Sequence, residues 1–139
     1  TGVSRFSSDV AESQISNMGN CYSQMIELYD MVEEGSSILT NTKVPIEEFG
    51  KLLDRAWNNK KTLSNMISNA KIDNLYKTAI KAGAIGGKIL GAGGGGFILF
   101  FVKPQNQSKL KKTLKNLTHV PFSFENSGSK TVVYQPDGF

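Results

Sequence analysis

The sequence contains one cysteine, one histidine and no long run of apolar residues. A single cysteine, Cys21, excludes a disulfide framework and is typical of a reducing compartment, so we expect a cytoplasmic protein. His119 is the lone histidine, and no His, Cys or paired-carboxylate pattern predicts a metal site. The longest apolar run, Phe97 to Val102, is far shorter than the roughly 20 residues of a membrane span. No signal peptide is recognisable, and we expect no membrane partner.

The length, composition and charge of the chain further limit the class of protein. The 139 residues, 39% hydrophobic and 20% charged, predict one soluble globular domain over residues 1–139. A net charge of +4 suits an anionic ligand without requiring one. The lysines are scattered rather than arranged in a basic stripe with interleaved aromatic residues, so we expect no nucleic-acid partner.

Apolar periodicity predicts helices in the first half of the chain. The first helix should run from Asp9 to Val32 and stop at Gly35, the second should begin at Pro45, and the third should span Ile72 to Ala82 and end at Gly83. We expect their apolar stripes to form the core. The stripe of the first helix comprises Ala11, Ile15, Met18, Tyr22, Met25, Ile26, Tyr29 and Val32.

The second half reads as strands with one helix. Strands are predicted over Ala84–Leu90 and Phe97–Val102, and the continuous apolarity of the latter favours a buried central strand. A short helix over Ser108–Leu117 should precede two more strands, Pro121–Glu125 and Lys130–Gln135. The expected fold class is α+β, with a small, mainly antiparallel sheet and helices on one face.

The run Gly91-Ala92-Gly93-Gly94-Gly95-Gly96 joins the first two predicted strands. Glycine is concentrated where the backbone needs positive φ or must approach something closely, and such anchored loops often wrap an anion, usually a phosphate. A dinucleotide-binding loop requires a following helix, and a Walker A loop requires Ser or Thr after its lysine. The strand beginning at Phe97 excludes the first, and Ile89 after Lys88 excludes the second. A purely structural turn remains the alternative.

The segment from Gly83 to Phe97 resembles the third conserved motif of the GHMP kinases, a superfamily that includes galactokinase, homoserine kinase, mevalonate kinase and phosphomevalonate kinase. Within that superfamily, three further segments are similar to the heptose phosphate kinases, which act on D-glycero-D-manno-heptose 7-phosphate or 1-phosphate. These segments are Thr1 to Arg5, Trp57 to Ser64, and Ile67 to Asp73.

The resemblance implies the ferredoxin-like C-terminal domain of a two-domain, ATP-dependent sugar kinase or heptose phosphate kinase. The N-terminal nucleotide-binding domain, with its Gly-Leu-Gly-Ser-Ser-type loop, has no counterpart in this sequence. ATP and Mg²⁺ would be bound mainly by that domain, which would also supply the catalytic residues. The implied partners are ATP, a sugar phosphate and the N-terminal domain, and we expect the chain alone to be inactive.

The resemblance also implies that the loop Gly91 to Gly96 faces the cleft near the transferred phosphate. Lys88 is a candidate phosphate contact, although a strand lysine is as readily a solvated edge charge. Arg5 is a candidate for bidentate binding of a sugar phosphate, with an ion pair at the start of the first helix as its alternative.

Further candidates lie at the end of the second helix: Lys60, Lys61 and Ser64 are expected near the same cleft. Two other functions stay open. One is a non-catalytic regulatory or ligand-binding α+β module whose glycine loop binds a small anion. The other is an interaction domain that uses the tyrosine-rich first helix as its partner surface.

Overall fold

The computed structural model describes residues 1–2 and 6–131. The elements in chain order are α1 (Ser7–Asn17), a 3₁₀ turn (Met18–Asn20), α2 (Tyr22–Thr40), α3 (Glu47–Thr62), α4 (Ala70–Lys81), β1 (Ala84–Ile89), β2 (Ile98–Val102) and α5 (Pro104–Thr113). The predicted α+β class is confirmed. None of the helices in this part of the chain combines the length and apolarity that a membrane span needs.

The two strands form an antiparallel hairpin around the glycine-rich run. Ile89 pairs with Ile98 and Lys88 with Leu99, and the register shifts between Ala84 and Gly86. Both strands lie where the sequence predicts them. The expectation that the second is a buried central strand was wrong: β2 is half-buried along its length, because the sheet of the described residues has only these two strands.

Neither residues 121–125 nor residues 130–131, where two later strands are predicted, extend this sheet. Residues 121–125 are exposed and form no strand, so that prediction was wrong. Phe122 and Phe124 lie edge to face with ring centroids 5.8 Å apart, and both side chains are exposed. Of the strand predicted over 130–135, residues 130 and 131 are not extended into a sheet, and the rest lies outside the described residues.

The predicted first helix is two helices. The chain breaks at Met18–Asn20, where Asn17 Nδ2 donates to the Leu63 carbonyl at 3.0 Å and ties the end of α1 to the end of α3. The helix α2 then continues past Gly35 to Thr40. Gly35 is buried, and a Cβ there would lie 3.3 Å from Leu52 Cδ2. The glycine therefore permits close packing of α2 on α3 and does not end the helix.

The apolar stripe of α1 and α2 faces outward, so the expectation that it forms the core was wrong. Tyr22 and Tyr29 are each 71% exposed and Val32 is 68% exposed, whereas Met31 is 6% exposed. Both sides of α2 carry apolar residues, and Met31 and Ile38 form a cluster with Leu52 of α3. Packing against α3 selects the face, which periodicity alone does not.

The helix α3 crosses β1 at very short range. A Cβ on Gly86 would lie 2.0 Å from the Gly50 carbonyl oxygen, and one on Gly50 would lie 2.8 Å from Phe101 Cδ1. Only glycine at both positions allows this approach. The main core cluster forms beside this crossing, where Trp57 of α3 and Tyr76 of α4 pack with Ile89 of β1.

The remaining helices begin and end at local signals. The Asn69 side chain caps α4 by accepting from the Ile72 amide at 3.0 Å, and Gly83 follows the helix with φ of +109°. The last helix begins at Pro104, four residues before the predicted Ser108, because proline suits the first helical turn. Its buried residue, Leu110, lies in a cluster with Ala79, Ala82 and Ala84.

Candidate functional site

The glycine-rich loop has a backbone that only glycine adopts readily. The Leu90 amide donates to the Phe97 carbonyl at 2.9 Å and closes the loop. Gly91, Gly93, Gly94 and Gly96 have φ of +88°, +124°, +75° and +82°. Other residues are disfavoured in this region, which accounts for the composition of the loop.

The loop is held against the connection between α3 and α4. The Gly94 amide donates to the Ile67 carbonyl at 2.7 Å. A Cβ on Gly93 would lie 2.9 Å from both Ile67 Cα and the Ile67 carbonyl oxygen. Ile67 itself is fully buried. The middle of the loop is therefore fixed on the core.

Side chains from two helices bind the carbonyls of the loop. Gln14 Nε2 of α1 donates to the Ala92 carbonyl at 3.2 Å, and Lys60 Nζ of α3 donates to the Gly91 carbonyl at 2.7 Å. The backbone amides of the loop, unlike these carbonyls, are mostly without hydrogen-bond partners in the described part of the chain. Within residues 1–2 and 6–131 only the Gly94 amide of the loop has a hydrogen-bond partner, so those of residues 91–93, 95 and 96 are free. Free backbone amides of this kind bind anions.

Two lysines lie beside the loop. Lys88 is half-buried in β1 and Lys60 is half-buried at the end of α3. Burial lowers the pKa of Lys60, and the positive charge of Lys88 lowers it further. In the described part of the chain neither ammonium group lies within ion-pair distance of a carboxylate. This end of the loop therefore carries uncompensated positive charge.

Ser64 has a clear local role. Its hydroxyl is buried, lies 2.6 Å from Ser13 Oγ and accepts from the Met66 amide at 3.0 Å. These bonds shape the connection that carries Ile67, and among the described residues no hydrogen bond joins Ser64 to the glycine loop. The predicted contact of Ser64 with a substrate stays a prediction. Arg5 lies outside the described residues.

An open cleft of about 420 Å³ is lined by residues of the same connection and by the adjoining ends of α3 and α4. Lys61, Asn65 and Ser64 line it with Asp73, which accepts from Ser68 Oγ at 2.8 Å. Lys61 lies 3.8 Å from the Asp73 carboxylate. Amide, hydroxyl and charged groups of this kind suit a hydroxyl-rich ligand. The structure thus brings Lys60 and Lys88 to the loop and places Lys61 and Ser64 in the neighbouring cleft.

The residues do not suit a bound divalent metal. No group of three His, Cys, Asp or Glu side chains in the described part of the chain could hold an ion. The contacts from Gln14 and the Ile67 carbonyl were missed by sequence reasoning. Gln14 is 78 residues from Ala92 and carries no motif, so no sequence signal could have found it.

Comparisons with known proteins cover the whole site. The family model described as "GHMP kinases C terminal" matches residues 44–117, from just before α3 to just after α5. The chain is 33% identical over 136 residues to D-glycero-alpha-D-manno-heptose 7-phosphate kinase of Campylobacter jejuni, covering 94% of this chain and 39% of that protein. It is 31% identical over 87 residues to the bifunctional fucokinase/GDP-fucose pyrophosphorylase of Arabidopsis thaliana, covering 63% of this chain and 8% of that protein. The chain therefore spans well under half the length of these curated relatives.

Proposed function

The chain belongs to the GHMP kinase family, and on that premise we propose that it is the C-terminal domain of a longer, ATP-dependent kinase that phosphorylates a sugar or a sugar phosphate. The name of the Campylobacter relative supports D-glycero-α-D-manno-heptose 7-phosphate as the substrate to test first. The name of the Arabidopsis relative supports fucose as the second.

The observation that carries the proposal is the state of the glycine loop. The loop carbonyls of Gly91 and Ala92 are bound by side chains, while the amides of these two residues have no partner among residues 1–2 and 6–131. An anion is attracted by N–H groups and repelled by carbonyl oxygens, so this arrangement favours a phosphate over a cation. The absence of Cβ atoms lets a ligand approach the backbone closely.

The proposed contribution of the domain is positioning and charge stabilisation. Phosphoryl transfer depends mainly on holding the reactants in line and on stabilising the charge spread over the transferred phosphoryl oxygens. The loop amides and the ammonium group of Lys88 would do this from one side of the cleft. Because the Gly94 amide is already bonded to Ile67, the loop is pre-organised and needs little ordering when a ligand binds.

The proposed cofactors differ in how well this chain suits them. The free amides and lysines suit the phosphates of ATP, and when bound ATP would supply the phosphoryl group. The described residues contain no group of three His, Cys, Asp or Glu side chains that could hold an ion, and we propose that Mg²⁺ is bound by the other part of the kinase. We therefore place no catalytic residue in this chain.

The direct test is a kinase assay on the full-length protein that contains this chain. The protein would be incubated with γ-labelled ATP, Mg²⁺ and either D-glycero-α-D-manno-heptose 7-phosphate or fucose. We expect label to be transferred to the heptose phosphate and the isolated chain to transfer none. Transfer to fucose alone would contradict the proposed heptose phosphate substrate but would still support a kinase function. Binding of ATP without transfer to any sugar would instead support a regulatory, anion-binding module.

A further inference from the structure

Two lysines flank the start of the glycine loop, Lys88 in β1 before it and Lys60 at the end of α3, and among the described residues neither forms an ion pair. Lys60 Nζ donates to the Gly91 carbonyl at 2.7 Å, and Lys88 lies close enough to repel it. The cations that do form ion pairs in the described part of the chain are Lys51, Arg55, Lys61, Lys103 and Lys130. Lys60 and Lys88 therefore keep their charge uncompensated beside the loop.

This arrangement is unfavourable without a ligand. Burial removes water from the Lys60 ammonium group, and a second positive charge nearby adds repulsion. The Gly91 carbonyl uses only one of the three N–H donors of Lys60. An anion between the two lysines would accept from the unused donors and cancel the repulsion.

The backbone beside these lysines is open and offers further donors. A Cβ placed on Gly91 would meet no atom within 4 Å, so the space next to it is free. The amides of Gly91 and Ala92 have no partner among the described residues. Lysine ammonium groups combined with free loop amides form the donor set of many phosphate sites. A phosphate monoester fits it well, since it carries up to two charges and three acceptor oxygens.

Resting on the kinase function proposed above, we propose that Lys60, Lys88 and the amides of Gly91 and Ala92 together bind one phosphate group, from the nucleotide or from the phosphorylated sugar. Lys60 has a second task here, because its bond to the Gly91 carbonyl also positions the loop. Lys88 has no hydrogen bond or ion pair within the described residues, so its side chain is available to the ligand alone.

The test is titration calorimetry on the full-length protein with three probes: ATP, D-glycero-α-D-manno-heptose 7-phosphate and inorganic phosphate. Lys88→Met should weaken binding of at least one probe by roughly tenfold or more, the range expected for a charge-assisted hydrogen bond. Lys60→Met should do the same, and Lys60→Arg should restore most of the affinity. Lys77→Met, at an exposed position of α4, makes the same charge change as a matched control and should have no effect.

The outcomes separate the sources of the phosphate. Weaker binding of ATP alone assigns the site to the nucleotide, and weaker binding of the heptose phosphate alone assigns it to the substrate. In either case the dependence of Kd on salt concentration should become shallower in Lys88→Met, which a structural role would not produce.

Two results would contradict the proposed phosphate site. The first is that the Lys88→Met variant unfolds at the same temperature as the wild-type protein and binds all three probes with the same Kd values. The other is an equal loss of affinity in Lys77→Met, which would indicate a general charge effect. Binding is measured without turnover, so the phosphate site can be tested even if the protein transfers no phosphoryl group to sugars. Failure of the phosphate site is therefore distinguishable from failure of the proposed kinase function.

Discussion

The backbone amide of Gly94 donates to the backbone carbonyl of Ile67 at 2.7 Å, across the boundary between the glycine loop and the buried α3–α4 connection. A loop rich in glycine is usually mobile, because glycine has the largest backbone entropy to lose. Here the bond holds the middle of the loop on a residue with no exposed surface. The loop is therefore a part of the core packing, and within the described residues the amides on either side of Gly94 keep no hydrogen-bond partner.

The close approach of Gly93 to Ile67 predicts a large stability loss for Gly93→Ala. A Cβ there would lie 2.9 Å from backbone atoms of Ile67, which cannot move aside as a side-chain tip could. Overpacking of this kind costs roughly 1–3 kcal/mol. Gly91→Ala is the matched control, since Gly91 also has positive φ but open space around it. Urea unfolding of both variants measures the difference, and equal stabilities would show that Ile67 does not restrict Gly93.

A side chain at Gly95 should impair turnover without a strained backbone. Gly94→Val and Gly95→Val are both expected to reduce turnover, but Gly94 has φ of +75° and its amide is bonded, so valine there also strains the fold. Gly95 is also buried, but it is not among the positive-φ glycines, so valine there adds no backbone strain. We expect Gly95→Val to lower kcat of the full-length kinase by roughly tenfold or more, about 1.4 kcal/mol in the barrier.

The control for that experiment is Gly128→Ala, a positive-φ glycine with open space in an exposed turn. It should leave kcat unchanged. Circular dichroism and thermal unfolding check that each variant is folded. A folded Gly95→Val protein with wild-type turnover would remove the loop from the mechanism.

The outward orientation of the α2 stripe predicts opposite results for two neighbouring residues. Tyr29 is 71% exposed, so Tyr29→Ser should change the free energy of unfolding by less than about 0.5 kcal/mol. Met31 is buried against Ile38 and Leu52, so Met31→Ala should cost roughly 2–5 kcal/mol. Chemical denaturation of the two variants measures both values. A larger loss at Tyr29 than at Met31 would mean that the stripe faces the interior after all.

The buried hydroxyl of Tyr76 predicts a loss of stability in strongly basic solution. Burial raises the pKa of Tyr76, and the hydrogen bond that it donates to Asp54 Oδ1 at 2.7 Å raises it further. The folded state thus favours the neutral phenol, and the resulting stabilisation is complete below the ordinary pKa of 10.0 and declines as the pH rises above it.

Tyr76→Phe should remove that decline while costing about 1 kcal/mol at neutral pH, the usual value of one hydrogen bond. Tyr29→Phe, at an exposed position, is the control and should keep the decline. Urea unfolding at two pH values, one neutral and one above 10, gives the comparison. An unchanged pH dependence in Tyr76→Phe would show that another group causes the loss.

Much of the local structure could be predicted because its signals are local. The hairpin of β1 and β2 follows from two apolar runs on either side of a glycine run, and Asn69 lies where a helix cap is expected. The strand predicted over residues 121–125 failed for the opposite reason. Residues 121–125 have the composition of a strand, but among the described residues no neighbouring strand receives their backbone hydrogen bonds.

By itself the sequence determined the α+β class, the position of the hairpin and the glycine loop, because each depends on neighbouring residues. The tertiary structure decided which face of α2 is buried and what holds the loop. Lys60 and Gln14 reach the loop from 31 and 78 residues away, and no pattern within a helix encodes such contacts. They arise only when α1 and α3 pack around the hairpin and place their side chains at the same backbone carbonyls.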